Sequence, residues 1–256
     1  MRIELGCFTR PWGRFSMEQS LAGIAAAGFR TCGFGLAEIR TTPLGNEPGG
    51  GDVARINALV SANGLQAQAL FGNADVSVPM DESVAKLKAT VDRALELGMS
   101  YIVLMGTEDE SRYDHWYGAT ERCLDYARQQ RMMLVLKPHG GLSALAADLL
   151  RAASRLDHPN FGICYDPGNI YYYTGEKAED DLPAVATHVK AVCIKDVVGG
   201  KHGEVMITPG SGLVDFPRIF TILKDAGFSG PCWVECLGGG SLDEINAEAR
   251  RAYSYI

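Results

Sequence analysis

The chain has 256 residues, of which 46% are hydrophobic and 21% charged, and its formal net charge is −7. This composition is that of an ordinary globular protein with enough chain to bury a large core. An acidic chain without a Lys/Arg cluster is not expected to bind nucleic acid or an anionic membrane. The seven cysteines form no C-x2-C pair, which argues against a disulfide framework or a zinc knuckle. No apolar run reaches the length of a membrane span and no signal peptide precedes the first predicted strand, so we expect a cytoplasmic location.

Short apolar or β-branched runs alternate eight times with longer amphipathic runs. The candidate strands lie at about residues 2–8, 30–34, 65–70, 100–105, 131–137, 161–165, 190–195 and 231–236. Candidate helices between them include Met17–Ala27, Val53–Asn63, Glu82–Leu97, Ala144–Leu156 and Phe216–Ala226. Eight strand–helix units without a linker predict an α/β fold, a single (β/α)8 TIM-barrel domain over residues 1–256. A doubly wound sheet is the alternative, but the first strand leads into Thr9-Arg-Pro-Trp-Gly13 rather than a glycine-rich phosphate turn.

Long, polar loops follow the predicted strands, at the end of a barrel where active sites lie. Residues 167–178 and 197–213 are predicted to be irregular. The glycine-rich residues 48–51 predict a flexible loop able to move over the site. The loop at 106–116 is dense in polar and aromatic residues, which fits either a cover over a polar ligand or a solvated surface.

Charged side chains come at the ends of the last four predicted strands. They are Lys137 at the end of the fifth, with His139 two residues beyond it, Asp166 after the sixth, Lys195 on the seventh and Glu235 on the eighth. Period-two alternation places Lys137 and His139 on one face, and a buried lysine needs a charged partner. Asp166 before a Pro-Gly pair is also explained by a local hydrogen bond in a turn. Together these residues predict a pocket in which a carboxylate base removes a proton next to a carbonyl group, while a cation stabilises the charge that forms on the carbonyl oxygen.

Five segments of the C-terminal half carry a family resemblance. They are Leu136-Lys-Pro-His-Gly140, Tyr165-Asp-Pro-Gly-Asn169, Cys193-Ile-Lys-Asp196, Thr208-Pro-Gly-Ser-Gly212 with Val214-Asp-Phe216, and Trp233-Val-Glu-Cys236. They resemble the xylose isomerase-like family of sugar phosphate isomerases and epimerases. The resemblance implies a TIM-barrel isomerase or epimerase of carbohydrate metabolism, with a small-molecule sugar as its substrate. Barrels of this size often pair through their outer helices, which leaves a homo-oligomer open.

The resemblance also implies a metal site from which this sequence departs. Family members hold one divalent metal with Glu, Asp, His and Glu from the last four strands, and the two glutamates move the proton. The matching positions here are Lys137, Asp166, Cys193 and Glu235. Only Asp166 and Glu235 keep the family's residue type, and a protonated lysine cannot ligate a cation.

Three interpretations stay open at the level of sequence. In the first, the enzyme has no cofactor, Glu235 is the catalytic base, Lys137 polarises the carbonyl group, and Asp166 completes the catalytic set. In the second, one divalent metal (Mn, Mg, Zn or Co) binds a rebuilt shell of Asp166, Glu235 and His139, with Cys193 as a further candidate. In the third, the family's catalysis is lost and the barrel binds a sugar or performs other chemistry.

The sequence therefore predicts proton transfer on a monosaccharide or a derivative, with His139, Asn169 and Lys195 contacting the substrate. A lyase or hydrolase acting on a keto-sugar or glycoside, and a non-catalytic sugar-binding barrel, are the alternatives. A Schiff base between Lys137 and a carbonyl sugar is a further hypothesis.

Overall fold

The computed structural model describes residues 2–35 and 52–256 of the chain. Eight parallel strands follow one another around a closed barrel. They are β1 Ile3–Phe8, β2 Thr31–Phe34, β3 Gln66–Gly72, β4 Tyr101–Leu104, β5 Met133–Leu136, β6 Phe161–Tyr165, β7 Val189–Ile194 and β8 Gly230–Val234. The pairing of Ile3 in β1 with Gly230 in β8 closes the sheet. This closure confirms the predicted (β/α)8 barrel and excludes the open, doubly wound sheet.

Helices surround the barrel. They are α1 Met17–Ala27, α2 Val53–Ala62, α3 Met80–Glu96, α4 Tyr113–Gln129, α5 Ala146–Leu156, α6 Pro167–Thr174, α7 Ala178–Asp181, α8 Phe216–Asp225 and α9 Leu242–Tyr255. None of the helices in the described ranges has both the length and the hydropathy needed to cross a membrane. The loop predicted to be flexible, at residues 48–51, lies outside the described residues.

Local sequence fixes the helix ends, as α1 illustrates. The Ser16 hydroxyl accepts a hydrogen bond from the Gln19 backbone, and the Gln19 side chain accepts one from the Ser16 backbone. This reciprocal pair satisfies two of the free N–H groups at the helix start. Gly28 ends the helix with a φ of +108°, a left-handed conformation that glycine adopts without strain.

One predicted loop is a helix. Residues 167–178 are predicted to be one of the irregular loops after the strands, but α6 occupies Pro167–Thr174. Asp166 caps α6, since its carboxylate accepts a hydrogen bond from the Asn169 backbone, and Pro167 stands at the first helical position. Proline is well suited to that position because the N–H it lacks would have no partner there. The local hydrogen bond expected for Asp166 is therefore present, in a helix cap rather than in a turn.

The interior of the barrel is an apolar layer. It consists of Phe8, Ala69, Val103, Val135, Cys164, Ala191, Cys193 and Trp233, each without exposed surface. A larger apolar core fills the space between the outside of the sheet and the helices. The barrel is thus packed rather than hollow, and chemistry is confined to its ends.

Candidate active site

Four charged side chains lie directly above the apolar interior, at the carboxyl end of the barrel. We call them the charge ring: Lys137, Asp166, Lys195 and Glu235. Each is the first residue after its strand, from β5 to β8 in order. Each also follows by two positions an interior residue of the same strand, namely Val135, Cys164, Cys193 and Trp233. Alternation along the strand therefore directs all four inward, and none is more than 3% exposed.

Positive and negative charges alternate around the ring. Lys137 Nζ lies 2.5 Å from Glu235 Oε2 and 3.1 Å from Asp166 Oδ2. Lys195 Nζ lies 2.9 Å from Glu235 Oε1 and 3.4 Å from Asp166 Oδ2. Each ammonium group thus contacts both carboxylates. Buried charges persist only when they are paired in this way, because removing one partner costs about 3–5 kcal/mol.

The ring keeps Lys137 and Glu235 ionised. Burial opposes the charge of Lys137, but Glu235 and Asp166 outweigh it and raise the lysine pKa well above its usual value. Burial would raise the pKa of Glu235, but Lys137, Lys195 and Arg10 hold it well below the usual range. A Schiff base requires a neutral amine, so a lysine held as ammonium is poorly suited to form one.

Arg10 is a member of the site that the sequence analysis missed. Its guanidinium donates a hydrogen bond to Glu235 Oε1, and its side chain is 45% exposed. Arg10 follows interior residue Phe8 of β1 by two positions, the same offset that defines the charge ring. The alternation that predicts the charged residues at the ends of the last four strands therefore also predicts Arg10, if it is followed from Phe8 at the end of β1. Phe71, two positions after Ala69 of β3, places its ring centroid 5.0 Å from Lys137 Nζ.

Asn169 ties three strand ends together. Its side-chain N–H donates to the Pro138 carbonyl at 2.7 Å, and its side-chain oxygen accepts from Lys195 Nζ at 3.1 Å. The first turn of α6 lies close to Lys195, and a side chain in place of Gly168 would meet the Lys195 backbone at 2.7 Å. Gly168 and Asn169 therefore position Lys195. Direct contact of Asn169 with a substrate stays a prediction.

His139 lies beside the ring rather than in it. The Tyr173 hydroxyl is 3.1 Å from both of its ring nitrogens. Burial, and then the charges of Lys137 and Lys195, lower the pKa of His139 to about 4. The imidazole is therefore neutral near pH 7. In this form it can act as a hydrogen-bonding group for a substrate.

Three potential metal-ligating side chains converge at the ring. Among the described residues, the cluster whose ligand atoms lie within 4.8 Å of one another is Asp166, Cys193 and Glu235. His139 is not in this cluster, because its ring is turned to Tyr173, so the ligand set predicted from the sequence differs from the one that the structure assembles.

The cluster does not fit a divalent cation. Both carboxylates already contact two ammonium groups. Burial, and then a hydrogen bond with Cys164, raise the pKa of the Cys193 thiol well above its usual value, so the thiolate that a metal needs is disfavoured. A cation at this point would also face the repulsion of Lys137 and Lys195.

A closed parallel barrel with converging charged groups at the carboxyl ends of its strands is the architecture of the TIM-barrel enzymes. The chain belongs to the xylose isomerase-like TIM barrel family, whose model matches residues 21–255.

Curated and solved relatives cover nearly the whole chain. An inosose dehydratase of Geobacillus thermodenitrificans is 25% identical, over 95% of this chain and 90% of its own length. An L-ribulose-5-phosphate 3-epimerase of Salmonella paratyphi A is 26% identical, over 96% of this chain and 78% of its own. The structure of a D-allulose 3-epimerase from Methylomonas sp. superposes with a TM-score of 0.78 at 19% identity, over 99% of this chain and 98% of that one. At that identity the superposition shows a shared fold.

Proposed function

We propose that the protein is an enzyme that transfers a proton at a carbon next to the carbonyl group of a monosaccharide or a derivative. The charge ring is the observation that carries this proposal, since it places the Glu235 carboxylate beside the Lys137 ammonium at the functional end of the barrel. The named activities of the dehydratase and the 3-epimerase relatives support a carbohydrate substrate.

Glu235 serves as the base and Lys137 as the electrophile. When the substrate carbonyl oxygen takes a place beside Lys137, the ammonium stabilises the negative charge that forms on that oxygen. The low pKa of Glu235 makes it a weak base while the cations contact it. Because those contacts pass in part to the substrate oxygen, its basicity rises at the moment it is needed. Asp166 holds both ammonium groups in place during this exchange.

The proposed reaction uses no cofactor. Polarising a carbonyl group requires a fixed positive charge, and the buried, ion-paired Lys137 supplies one. The two carboxylates that would bind a divalent cation are engaged by the two lysines, which supports the metal-free interpretation.

Glu235→Gln tests the assignment of the base. The amide keeps the shape of the side chain but cannot accept the proton, so we expect deuterium exchange from D2O into keto sugars to fall at least about 100-fold. Exchange is followed by proton NMR with L-ribulose 5-phosphate, D-allulose and inosose. Glu96→Gln, an exposed carboxylate at the end of α3, is the control and should exchange as wild type does. Unchanged exchange in Glu235→Gln would refute the proposal.

Elimination of water is the second candidate, because the inosose dehydratase relative is matched over 90% of its length. The same base would remove the proton and an ammonium group would protonate the departing hydroxyl. Mass spectrometry separates the two reactions, since an isomer keeps the mass of its substrate and a dehydrated product does not. Binding of these sugars without exchange would indicate a sugar-binding barrel instead.

A further inference from the structure

Arg10 gives the site more positive charge than its carboxylates balance. Lys137 and Lys195 each contact both Asp166 and Glu235, so the charge ring on its own is neutral. Arg10 is a third cation, and its ion-pair partner among the described residues is Glu235, which already pairs with both lysines. The site as a whole therefore has a positive charge in excess, in a chain whose formal net charge is −7.

Arg10 is also the cation that a ligand reaches first. The side chains of Lys137 and Lys195 are 2% and 4% exposed, whereas that of Arg10 is 45% exposed. A guanidinium group keeps its charge in proteins and presents several N–H donors in one plane. Within residues 2–35 and 52–256 it donates to Glu235 Oε1 through one terminal nitrogen. The other N–H groups are left for a ligand.

The oxygens of the two carboxylates are already occupied. Glu235 Oε1 accepts hydrogen bonds from Arg10 and from one ring lysine, and Oε2 accepts one from the other lysine. Asp166 Oδ1 accepts from the Asn169 backbone, and Oδ2 lies 3.1 Å and 3.4 Å from the two lysine nitrogens. A ligand therefore meets hydrogen-bond donors at Arg10 rather than free acceptors. Such a site favours a ligand group that is negatively charged and rich in lone pairs, as a carboxylate or a phosphate is.

The position of Arg10 separates these two anions. Arg10 contacts Glu235 Oε1, and Lys137 contacts Oε2 of the same carboxylate. A ligand oxygen on Arg10 is therefore only a few bonds away from a carbonyl oxygen on Lys137, as it is in a keto acid whose carboxylate adjoins the carbonyl carbon. The phosphate of a ketose phosphate lies at the far end of the carbon chain, which places it beyond this arginine. The planar donors of a guanidinium also match the two oxygens of a carboxylate.

We infer that the substrate is a keto sugar acid whose carboxylate adjoins the carbonyl group and is bound by the Arg10 guanidinium. This inference rests on the proposed function and narrows the substrate class of the same site. Arg10 is then a specificity-determining residue, because binding the carboxylate sets the carbonyl oxygen beside Lys137 and the neighbouring C–H bond beside Glu235. The bound carboxylate also draws part of the positive charge of Arg10 away from Glu235, which strengthens the base when an acid is present.

A matched pair of sugars isolates the effect of the carboxylate. 2-Keto-D-gluconate is D-fructose with C1 oxidised to a carboxylate, so the two share the C2 carbonyl group and the C3–H bond next to it. Proton NMR of deuterium exchange from D2O at C3 gives kcat/KM for each sugar. Because the sugars differ in intrinsic reactivity, the quantity compared is their ratio in wild type and in Arg10→Gln. The ratio also cancels an effect of the variant on the base that is common to both sugars.

We expect the wild type to favour 2-keto-D-gluconate and Arg10→Gln to lower this preference at least about 30-fold, mainly through KM. Arg10→Lys keeps the charge without the planar donors and should retain part of the preference. Arg14→Gln, a nearby exposed arginine, is the control and should keep the wild-type ratio. D-Fructose 6-phosphate and D-fructuronate, which carry a phosphate or a carboxylate at C6, should depend less on Arg10 than 2-keto-D-gluconate does. Circular dichroism checks that each variant is folded.

The outcomes separate this inference from the proposed function. Equal ratios in wild type and Arg10→Gln, with exchange that is lost in Glu235→Gln, would overturn the inference and leave the proposed proton transfer intact. A stronger dependence on Arg10 for D-fructose 6-phosphate or D-fructuronate would also overturn it, since the anion would then lie far from the carbonyl group. Absence of exchange from all four sugars counts against the proposed function, and the inference falls with it.

Discussion

Lys137 is the residue that sets this site apart. The family resemblance implies a glutamate at its position, and the structure shows an ammonium group there that contacts both carboxylates of the ring. A lysine with 1% exposure is uncommon, and it is stable here because its charge has two partners. Lys137 thus stands where the resemblance implies a metal-ligating glutamate, and its ammonium group supplies a positive charge at the same point.

Lys137→Glu combined with Cys193→His is expected to create a metal site. The change removes one ammonium group and adds a carboxylate and an imidazole to Asp166 and Glu235, which are ligands suited to Mn2+. Isothermal titration should show one Mn2+ bound at least tenfold more tightly than by the wild type. Lys137→Met with Cys193→His removes the ammonium without adding the carboxylate, and should bind more weakly than the glutamate variant. A purified wild type that carries one equivalent of metal would contradict the metal-free interpretation.

The sequence made the members of the ring predictable, because each is a charged residue at the end of an apolar strand. It did not show which of them pair. That pairing depends on the closure of the barrel, which brings Lys137 after β5 beside Glu235 after β8 across 98 residues of chain. Arg10 was missed for a related reason, since its partner is 225 residues away.

Among the elements, the loop after β7 is organised by one carboxylate. Asp196 accepts hydrogen bonds from four backbone N–H groups between residues 197 and 214, at 2.8 to 3.1 Å. It has no exposed surface. Since Asp196 directly follows Lys195, the same carboxylate fixes the loop and the end of the strand that carries a ring member.

Asp196→Ala should destabilise the protein by at least about 3 kcal/mol, because hydrogen bonds to charged groups contribute about 1.5–3 kcal/mol each and four donors lose their acceptor. Urea unfolding followed by circular dichroism measures the change in free energy. Asp225→Ala, an exposed position at the end of α8, is the control and should change stability by less than about 0.5 kcal/mol. A similarly small change for Asp196→Ala would show that water replaces the carboxylate.

Helices were predictable from the sequence where hydrophobic periodicity determines them, and less predictable where a capping side chain does. The boundaries of α1 agree with the prediction to the residue. The error at α6 arose because Pro-Gly is typical of a turn, whereas here the Asp166 carboxylate and Pro167 start a helix. Such a cap depends on the position of one side chain, which periodicity does not encode.

At the scale of the whole molecule, the folded state should lose stability in mild acid through His139. Its pKa falls to about 4 in the folded protein, against about 6.5 in an unfolded chain. The unfolded chain therefore binds more protons between these values, so the contribution is full above about pH 6.5 and is lost as the pH falls toward 4. The whole contribution is at most on the order of 3 kcal/mol, reduced by solvent screening.

Unfolding free energies of wild type and His139→Gln from pH 7 to 5 measure this contribution. The variant should show the shallower dependence on pH, whereas His188→Gln, exposed before β7, should keep the wild-type slope. Parallel curves for wild type and His139→Gln would contradict the expected role of His139. Glu235 adds to the loss only below about pH 4.5, since its pKa in the folded state is depressed from that value.

The alternation of charge in the ring also determines how the site acts at a distance. Two positive and two negative groups held within a few ångströms of one another have no net charge, and their fields cancel rapidly with separation. The ring itself therefore does not steer a diffusing sugar from solution, and attraction at a distance comes from Arg10, whose side chain is 45% exposed. The four charges become effective only on contact, when an oxygen of the ligand takes the place of a carboxylate oxygen.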